Sequence, residues 1–415
     1  MGKKITVSCI GFGQRGQAYL NEMSKLPDKY EIVSVCDVDP FRANKCKEMY
    51  NLSESNVFHD EDEFFKEKRS DLLVVATQDQ DHVRQGIKGL NVGYDLLLEK
   101  PISKDRDELF ALLKTQKRTG RKVLVCHVLR YAPAFTKVKE LIDEGRIGKT
   151  IMIDLTENVC FSHQAHSYVR GNWRRSEETS PMILAKCCHD LDLLTWFIGD
   201  KCESIYSLGE LNYFKKENQP EGALDRCKGC KYQGKCPYDA YDMYINTNFW
   251  GKNFITDVRP ITKEALVEAL DNGPYGRCVF ACDNDVVDNQ TVTMHFVNGV
   301  EANLKMTAFS SRGGRTLRVY GTKGEIDLDE RFGTIEIGEF NGKRETLQIS
   351  TMVDAASGHG GGDAGIVKSL YEYLINGNDK YATSLDASIQ SHLMGIEAEN
   401  SRLEKGKKIY IDYQD

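Results

Sequence analysis

Over residues 1–127, short apolar runs alternate with longer amphipathic ones. Residues 5–10 (ITVSCI), 31–36, 71–76, 95–98 and 122–126 read as strands, and 17–26, 40–50, 81–89 and 105–119 as helices. Strands that are apolar throughout and separated by helices predict a parallel sheet covered on both faces. A further helix is expected at 134–145. From residue 150 the period changes. Segments 150–157, 291–296, 301–308, 316–320, 325–329 and 334–337 alternate polar and apolar residues, with turn signals at Asn298-Gly299, Gly313-Gly314, Gly324 and Asn341-Gly342. That pattern predicts a large, mainly antiparallel sheet with one packed and one open face. Helices at 364–375 and 386–405 and a strand at 408–413 close the chain. The expected class is α/β: a doubly wound domain at 1–127 and a second α/β domain at 128–415. Its open face is a candidate homodimer or homotetramer surface. Residues 203–273 read as a polar, cysteine-bearing insertion.

Composition narrows the function classes. With 415 residues, 40% hydrophobic and 28% charged, the chain can bury a sizeable core and is not of the disordered class. A net charge of −7 and the lack of a basic stripe give no reason to expect nucleic acid as a partner. No apolar run approaches the roughly 18–20 residues of a membrane span. The N-terminal segment reads as a first strand, not a signal peptide, so a cytoplasmic location is expected. In that setting the 13 cysteines suggest buried thiols or metal ligands, not a disulfide framework.

The most specific local signal is Gly11-Phe12-Gly13-Gln14-Arg15-Gly16, which ends one strand and opens a helix. Glycines at this spacing permit a tight turn, close approach to a pyrophosphate, and close helix–strand packing. The helix N-terminus adds free N–H groups and a favourable dipole. Asp37 ends the next strand, where an acid bonds the ribose hydroxyls of NAD. A Rossmann domain binding NAD is expected, with Arg15 and Arg42 keeping NADP open.

Glu99-Lys100-Pro101, Arg130-Tyr131-Ala132-Pro133, His189-Asp190-Leu191-Asp192, Gly321-Thr322-Lys323-Gly324-Glu325-Ile326 and Gly358-His359-Gly360-Gly361-Gly362-Asp363 follow in order. Together with the glycine loop they resemble the Gfo/Idh/MocA oxidoreductase family over nearly the whole chain. The resemblance implies a Rossmann domain followed by an open-sheet α/β domain. It places Lys100 beside the nicotinamide and the reacting hydroxyl, and makes Thr77, His82 and Glu99 further candidate cofactor contacts.

The family's second catalytic element resembles D-x-G-x-H-x-x-D. Residues 185–192 keep His189 and Asp192 but carry Ala185 and Cys187 in place of the Asp and Gly. Lys186 precedes His189 by three residues, which on one helix face would bring an ammonium toward the imidazole and lower its pKa, or let it bind substrate. A neutral His189 could accept the hydroxyl proton. Candidate catalytic residues are therefore Lys100, His189 and Lys186.

Residues 162–175 (SHQAHSYVRGNWRR) are rich in donors and aromatics, as a polyhydroxylated ligand requires; a subunit contact would use them equally well. His166, Tyr168, Trp173 and Arg174, with His127, Arg130, Tyr131, Asp192 and His359, are the candidate substrate contacts. Cys227, Cys230 and Cys236 have knuckle spacing suited to a structural zinc with an unassigned fourth ligand. Three reduced thiols are the alternative, and the spacing matches neither common ferredoxin pattern.

The reading is an NAD(P)-dependent dehydrogenase acting on a secondary hydroxyl of a sugar, cyclitol or related polyol. The alternatives are a redox-assisted glycoside hydrolase that retains its NAD, and a non-catalytic sugar or nucleotide sensor.

Overall fold

The computed structural model describes residues 3–349, 359–377 and 381–414. Six parallel strands, β1 (Ile5–Ile10), β2 (Tyr30–Cys36), β3 (Val57–Phe58), β4 (Leu72–Val75), β5 (Asp95–Leu98) and β6 (Val123–Val125), form a sheet in the order β3-β2-β1-β4-β5-β6. This is the doubly wound order, and the strand sequence reverses direction beside β1. The strands are short and apolar because helices cover both faces: Leu72, Leu73, Val74 and Val75 are all fully buried. Their carboxyl ends deliver Gly11, Asp37, Ala76, Glu99 and Cys126 to one edge.

The second sheet has nine strands: β7 (Thr150–Cys160), β8 (Cys202–Glu210), β9 (Asn289–Phe296), β10 (Glu301–Ser310), β11 (Gly314–Gly321), β12 (Gly324–Asp329), β13 (Thr334–Glu339), β14 (Arg344–Gln348) and β15 (Ile409–Tyr410). Their order is β14-β13-β12-β11-β7-β10-β9-β8-β15, antiparallel throughout except for the central β7–β10 pair. Inward residues alternate with outward ones, as in β7, where Ile153, Leu155, Glu157 and Val159 are buried. Glu157 is the departure from that apolar rule. Helices Cys188–Ile198 and Leu385–Leu403 cover the inner face, and the latter also packs on helix Arg106–Thr119 of the first domain. Backbone contact between Leu124 and Ser384, with Val125 N–H donating to Thr383 C=O at 2.8 Å, continues the join.

The cysteine-bearing segment differs from expectation at its start. Residues 202–210 form β8, which pairs with β9 from Glu210↔Asn289 onward, so the excursion between these neighbouring strands is 211–288. It contains helix Lys263–Asn272 and small clusters around Phe214, Tyr238 and Phe280. Of the glycine-rich stretch before helix Gly362–Asn376, Gly358 lies outside the described residues.

Candidate active site

The glycine loop folds as a cradle. Gly11 has φ +86°, and a Cβ there would lie 2.6 Å from the Ala76 carbonyl oxygen; one on Gly16 would lie 2.2 Å from the Gly11 oxygen. Neither position admits a side chain. Gly13 faces open space, and helix Gln14–Ser24 starts after it with no side-chain cap. Its first N–H groups are therefore left for an anion.

Beside the cradle, Gly11, Gly13, Asp37, Val38, Arg42, Thr77, Gln78 and Arg84 help line a cavity of about 250 Å³. Asp37 is buried at its mouth. It accepts from Phe12 N–H at 2.7 Å and from Asp39 N–H at 2.9 Å, and Arg42 chelates it with nitrogens at 2.9 and 3.1 Å. The uncapped helix start, the open face at Gly13 and the acid at the second strand's end suit a dinucleotide's pyrophosphate and adenosine ribose.

Several predicted contacts are committed elsewhere. Arg15 points away from the adenosine cavity: its Nε donates to Glu99 at 2.7 Å and its terminal nitrogens to Asp363 at 2.8 and 3.0 Å. It joins the two domains instead of awaiting a 2′-phosphate. His82 is buried, with Nδ1 2.7 Å from the Pro101 carbonyl and Nε2 3.3 Å from that of Thr77. It pins the loop after β5 and is not free for a ligand. Thr77 donates to Gln85 at 2.6 Å while its methyl group abuts Gly11. Glu99, buried at the end of β5, also accepts from Tyr19 O–H at 2.6 Å and Lys100 N–H at 2.9 Å. Burial pushes its carboxyl up, but the Arg15 and Lys100 charges and these hydrogen bonds outweigh that and hold it below its ordinary value.

Lys100 reaches across to the second domain, where its Nζ donates to the Ala185 carbonyl at 3.1 Å. That carbonyl ends the short helix Met182–Ala185; the chain breaks at Lys186 and Cys187 and restarts at Cys188. The break overturns the shared helix face expected for Lys186 and His189. Lys186 lies 3.5 Å from buried Glu157, whose other oxygen lies 2.5 Å from Arg315. Arg315 also binds Asp190 at 3.0 Å.

His189 is 2% exposed, and both ring nitrogens lack a hydrogen-bond partner. Its pKa is pushed well down, first by burial and then by the charges of Lys100, His359, His127 and Arg315. Lys186 is not the cause, so only the outcome expected from sequence is met. His359, with ring centroid 5.4 Å from that of His189, completes the near side of the cleft; its Nδ1 lies 3.5 Å from Asp363. His127 lies behind, 5.9 Å from His189, fully buried with both nitrogens unpartnered. His163 also borders this group, since Lys186, Lys100 and His359 add to burial in lowering its pKa.

Other predicted substrate contacts are structural. Arg130 and Asp192 form a buried bidentate pair with both distances 2.6 Å. Tyr131 O–H lies 3.3 Å from the Thr383 hydroxyl and accepts from its N–H at 3.1 Å. Arg174 is paired with Asp283 at 2.9 Å. His166 stacks on Tyr275 at 4.8 Å and bonds the Tyr244 hydroxyl at 2.8 Å, inside the excursion's aromatic cluster. Tyr168 is buried beside His163, with centroids 5.7 Å apart. Trp173 bridges the cleft, its Nε1 donating to Asp79 at 3.2 Å, in the loop that follows β4.

Sequence reading missed Glu157, Arg315 and His392. The first two carry a signal: each is a charge at an inward position of an alternating strand. His392, with Nδ1 2.7 Å from the Ser388 carbonyl and Nε2 accepting from Ile102 N–H at 2.8 Å, is indistinguishable from an ordinary helical residue in sequence.

All 13 cysteines are free thiols. Among the described residues no three His, Cys, Asp or Glu side chains are gathered to hold a single ion, so the zinc knuckle expected at Cys227, Cys230 and Cys236 is not formed. Nor is any helix among them long and apolar enough to cross a membrane.

Fold and cradle together define a two-domain α/β protein of the dinucleotide-binding oxidoreductase class. Residues 5–127 match the oxidoreductase-family model for an NAD-binding Rossmann fold, and 139–409 match that for the family's C-terminal alpha/beta domain. The chain belongs to the Gfo/Idh/MocA family. It is 26% identical to a putative oxidoreductase, YteT, of Bacillus subtilis over 84% of each chain. It is 25% identical to an inositol 2-dehydrogenase/D-chiro-inositol 3-dehydrogenase of Lactiplantibacillus plantarum over 48% of this chain and 54% of that one. Among solved structures, a levoglucosan dehydrogenase complexed with NADH superposes with a TM-score of 0.73 at 14% identity, covering 99% and 100% of the chains. An Agrobacterium radiobacter oxidoreductase with NAD+, L-tartaric acid and magnesium gives 0.72 at 14% identity, covering 98% of each. At such identities these two show the fold alone.

Proposed function

We propose that the chain is an NAD-dependent dehydrogenase for a secondary hydroxyl of a sugar, cyclitol or related polyol. The observation that carries this reading is the meeting of Lys100, from the first domain's sheet edge, with an unpartnered, neutral His189 from the second. NAD, when bound, supplies the hydride acceptor. Gly13 and the free N–H groups of helix Gln14–Ser24 would hold its pyrophosphate, and Asp37 its adenosine ribose.

Lys100 donates a hydrogen bond to the reacting hydroxyl oxygen, and its charge stabilises the oxyanion as the proton leaves. His189 receives that proton on a free ring nitrogen, and His359 lies next in line on the cleft side. His163, near Lys100 and His359, would meet the hydroxyls of a ring, and Trp173, bonded to Asp79, its apolar face. Asp37, already chelated by Arg42, disfavours a 2′-phosphate, so NAD is preferred to NADP. The cleft would work on a small soluble substrate, and the open second sheet is the surface for a homodimer or homotetramer.

A panel of sugars and cyclitols, inositols included, is assayed with NAD and NADP by the absorbance of reduced cofactor and by product analysis. Oxidation of at least one ring polyol to a ketone, with NAD favoured, is expected. Absence of binding of either oxidised or reduced cofactor refutes the reading.

A further inference from the structure

Of the residues the sequence leaves open as a fourth ligand to Cys227, Cys230 and Cys236 (Cys202, Cys278, Cys282 or a histidine), the excursion 211–288 brings Cys278 to the other three. Cys227 N–H donates to the Gly276 carbonyl and Cys278 N–H to that of Asp225, each at 2.9 Å, and Arg226 pairs with Arg277 in an antiparallel bridge. In that ladder Cys227 and Cys278 occupy diagonal positions on one face, at roughly 7–8 Å by sheet geometry. Cys230 N–H turns back to the Cys227 carbonyl at 3.2 Å. All four of Cys227, Cys230, Cys236 and Cys278 line one cavity of about 200 Å³.

Nitrogen donors surround the sulfurs. Ala240 N–H points at Cys227 Sγ at 3.5 Å and Gln219 Nε2 at Cys278 Sγ at 3.8 Å. The Tyr238 and Phe280 N–H groups bond Cys236 and Cys278.

An independent observation concerns Arg170. It is 1% exposed, and among the described residues no carboxylate lies within ion-pair distance of it. Nε donates to the Arg277 carbonyl at 2.8 Å and Nη2 to that of Tyr238 at 2.6 Å, while Nη2 also lies 3.7 Å from Cys227 Sγ and Nη1 has no partner. A buried guanidinium with no counter-charge is strongly disfavoured. Asp239 lines the same cavity, but its oxygens accept from Gly234 and Tyr241 N–H and lie outside ion-pair reach of Arg170. The sulfur that Arg170 does face is Cys227, which would carry negative charge once metal-bound.

Soft thiolate sets select zinc, copper(I) or iron–sulfur clusters. Four sulfurs on one zinc sit about 3.8 Å apart, from the zinc–sulfur bond length and tetrahedral angles. The described residues hold no such single-ion group. A 200 Å³ space, against about 30 Å³ per water molecule, takes a body of several atoms. We propose that Cys227, Cys230, Cys236 and Cys278 ligate an iron–sulfur cluster whose negative charge is balanced by Arg170. The spacing objection fell on three cysteines alone; a fourth ligand from a distant segment is a known arrangement. The cluster ties the excursion to segment 164–170, which carries Tyr168 beside His163.

The full chain, purified without oxygen after growth in iron-supplied medium, is analysed for iron, zinc and acid-labile sulfide. About four iron and four sulfide per chain are expected for a cubane cluster, with charge-transfer absorbance that dithionite bleaches. Cys278→Ser should lose iron and sulfide several-fold, while Cys282→Ser, adjacent but outside the cavity lining, should retain them with an unchanged circular dichroism spectrum. Stoichiometric zinc without sulfide, or neither metal, overturns the proposal, as does full iron retention in Cys278→Ser. None of these readouts depends on dehydrogenase activity.

Discussion

Lowering the pH should unfold this protein earlier than its overall charge suggests, because several of its histidines are buried with their pKa values pushed down. His127, His166, His189 and His392 are each 5% exposed or less. Burial, a larger cause than neighbouring charges in every case, pushes their pKa values down, to about 4 for His166 and about 3 for His392 and well down for the other two. In the unfolded chain each returns to about 6.5. Between these values only the unfolded state binds the proton, so stability is complete above about pH 6.5 and declines below it. From about pH 7.5 to about pH 5.5 each histidine contributes a loss of about 1.4 kcal/mol, roughly 5 kcal/mol for the four. Asp190 works the other way. Burial raises it to about 6 against the pull of Arg315, so the folded state takes up its proton first and recovers about 1 kcal/mol. The net loss of about 4 kcal/mol is a large share of the 5–15 kcal/mol of a typical folded protein. Urea unfolding followed by circular dichroism at the two pH values measures it as a fall in midpoint. An unchanged or higher midpoint near pH 5.5 would refute the neutral-histidine account.

The other predictions concern single side chains. Lys100→Met should lower kcat by about 100-fold or more, the scale of a lost proton-transfer or oxyanion contact, with NAD affinity by calorimetry nearly unchanged; equal loss of both would move Lys100 to cofactor binding. Arg130→Met leaves Asp192 buried and unpaired, so thermal and urea unfolding should show about 3–5 kcal/mol of destabilisation, most of it recovered in Arg130→Met/Asp192→Leu. Gly13→Ala should fold normally, since its Cβ meets nothing within 4 Å, yet weaken NAD binding by crowding the pyrophosphate. Gly16→Ala should instead lose stability outright.

Five of the first sheet's six strands were legible because burial on both faces leaves short, largely apolar runs; β3, two residues long, is too short to show a pattern. Strand β8 was not, because its inward positions include Ser204 and Ser207, which break the apolar period. Ser207 fits only because its N–H meets the Ser401 hydroxyl and its hydroxyl meets Gln290. Strand β14 (RETLQ) is a short edge with no buried residue to mark it. The glycine cradle and Lys100 were readable from spacing. The break at 186–187 was not, since Ala, Lys and Leu around it favour helix; it arises from tertiary contacts, the pull of Glu157 on Lys186 and of Lys100 on the Ala185 carbonyl. The same ignorance of partners put Arg15, Arg130 and Arg174 in binding roles, although each already holds a carboxylate.

Those pairings explain how the cleft does without the aspartate that Ala185 replaces. Five of the buried acids around it are claimed by arginines: Glu99 and Asp363 by Arg15, Asp192 by Arg130, Glu157 and Asp190 by Arg315; Asp79 is bonded by Trp173 instead. Among the described residues no carboxylate hydrogen-bonds His189, and burial and the ammonium beside it push its pKa down. An imidazole held in that state is a weak base, and in the proposed reaction it cannot draw a proton from an ordinary alcohol unaided. In the proposed reaction the burden moves to Lys100, whose ammonium donates to the Ala185 carbonyl and would bond the alcohol oxygen. On the proposed reading the cleft would thus activate the hydroxyl by acidifying it, where an Asp–His pair would do so by strengthening the base.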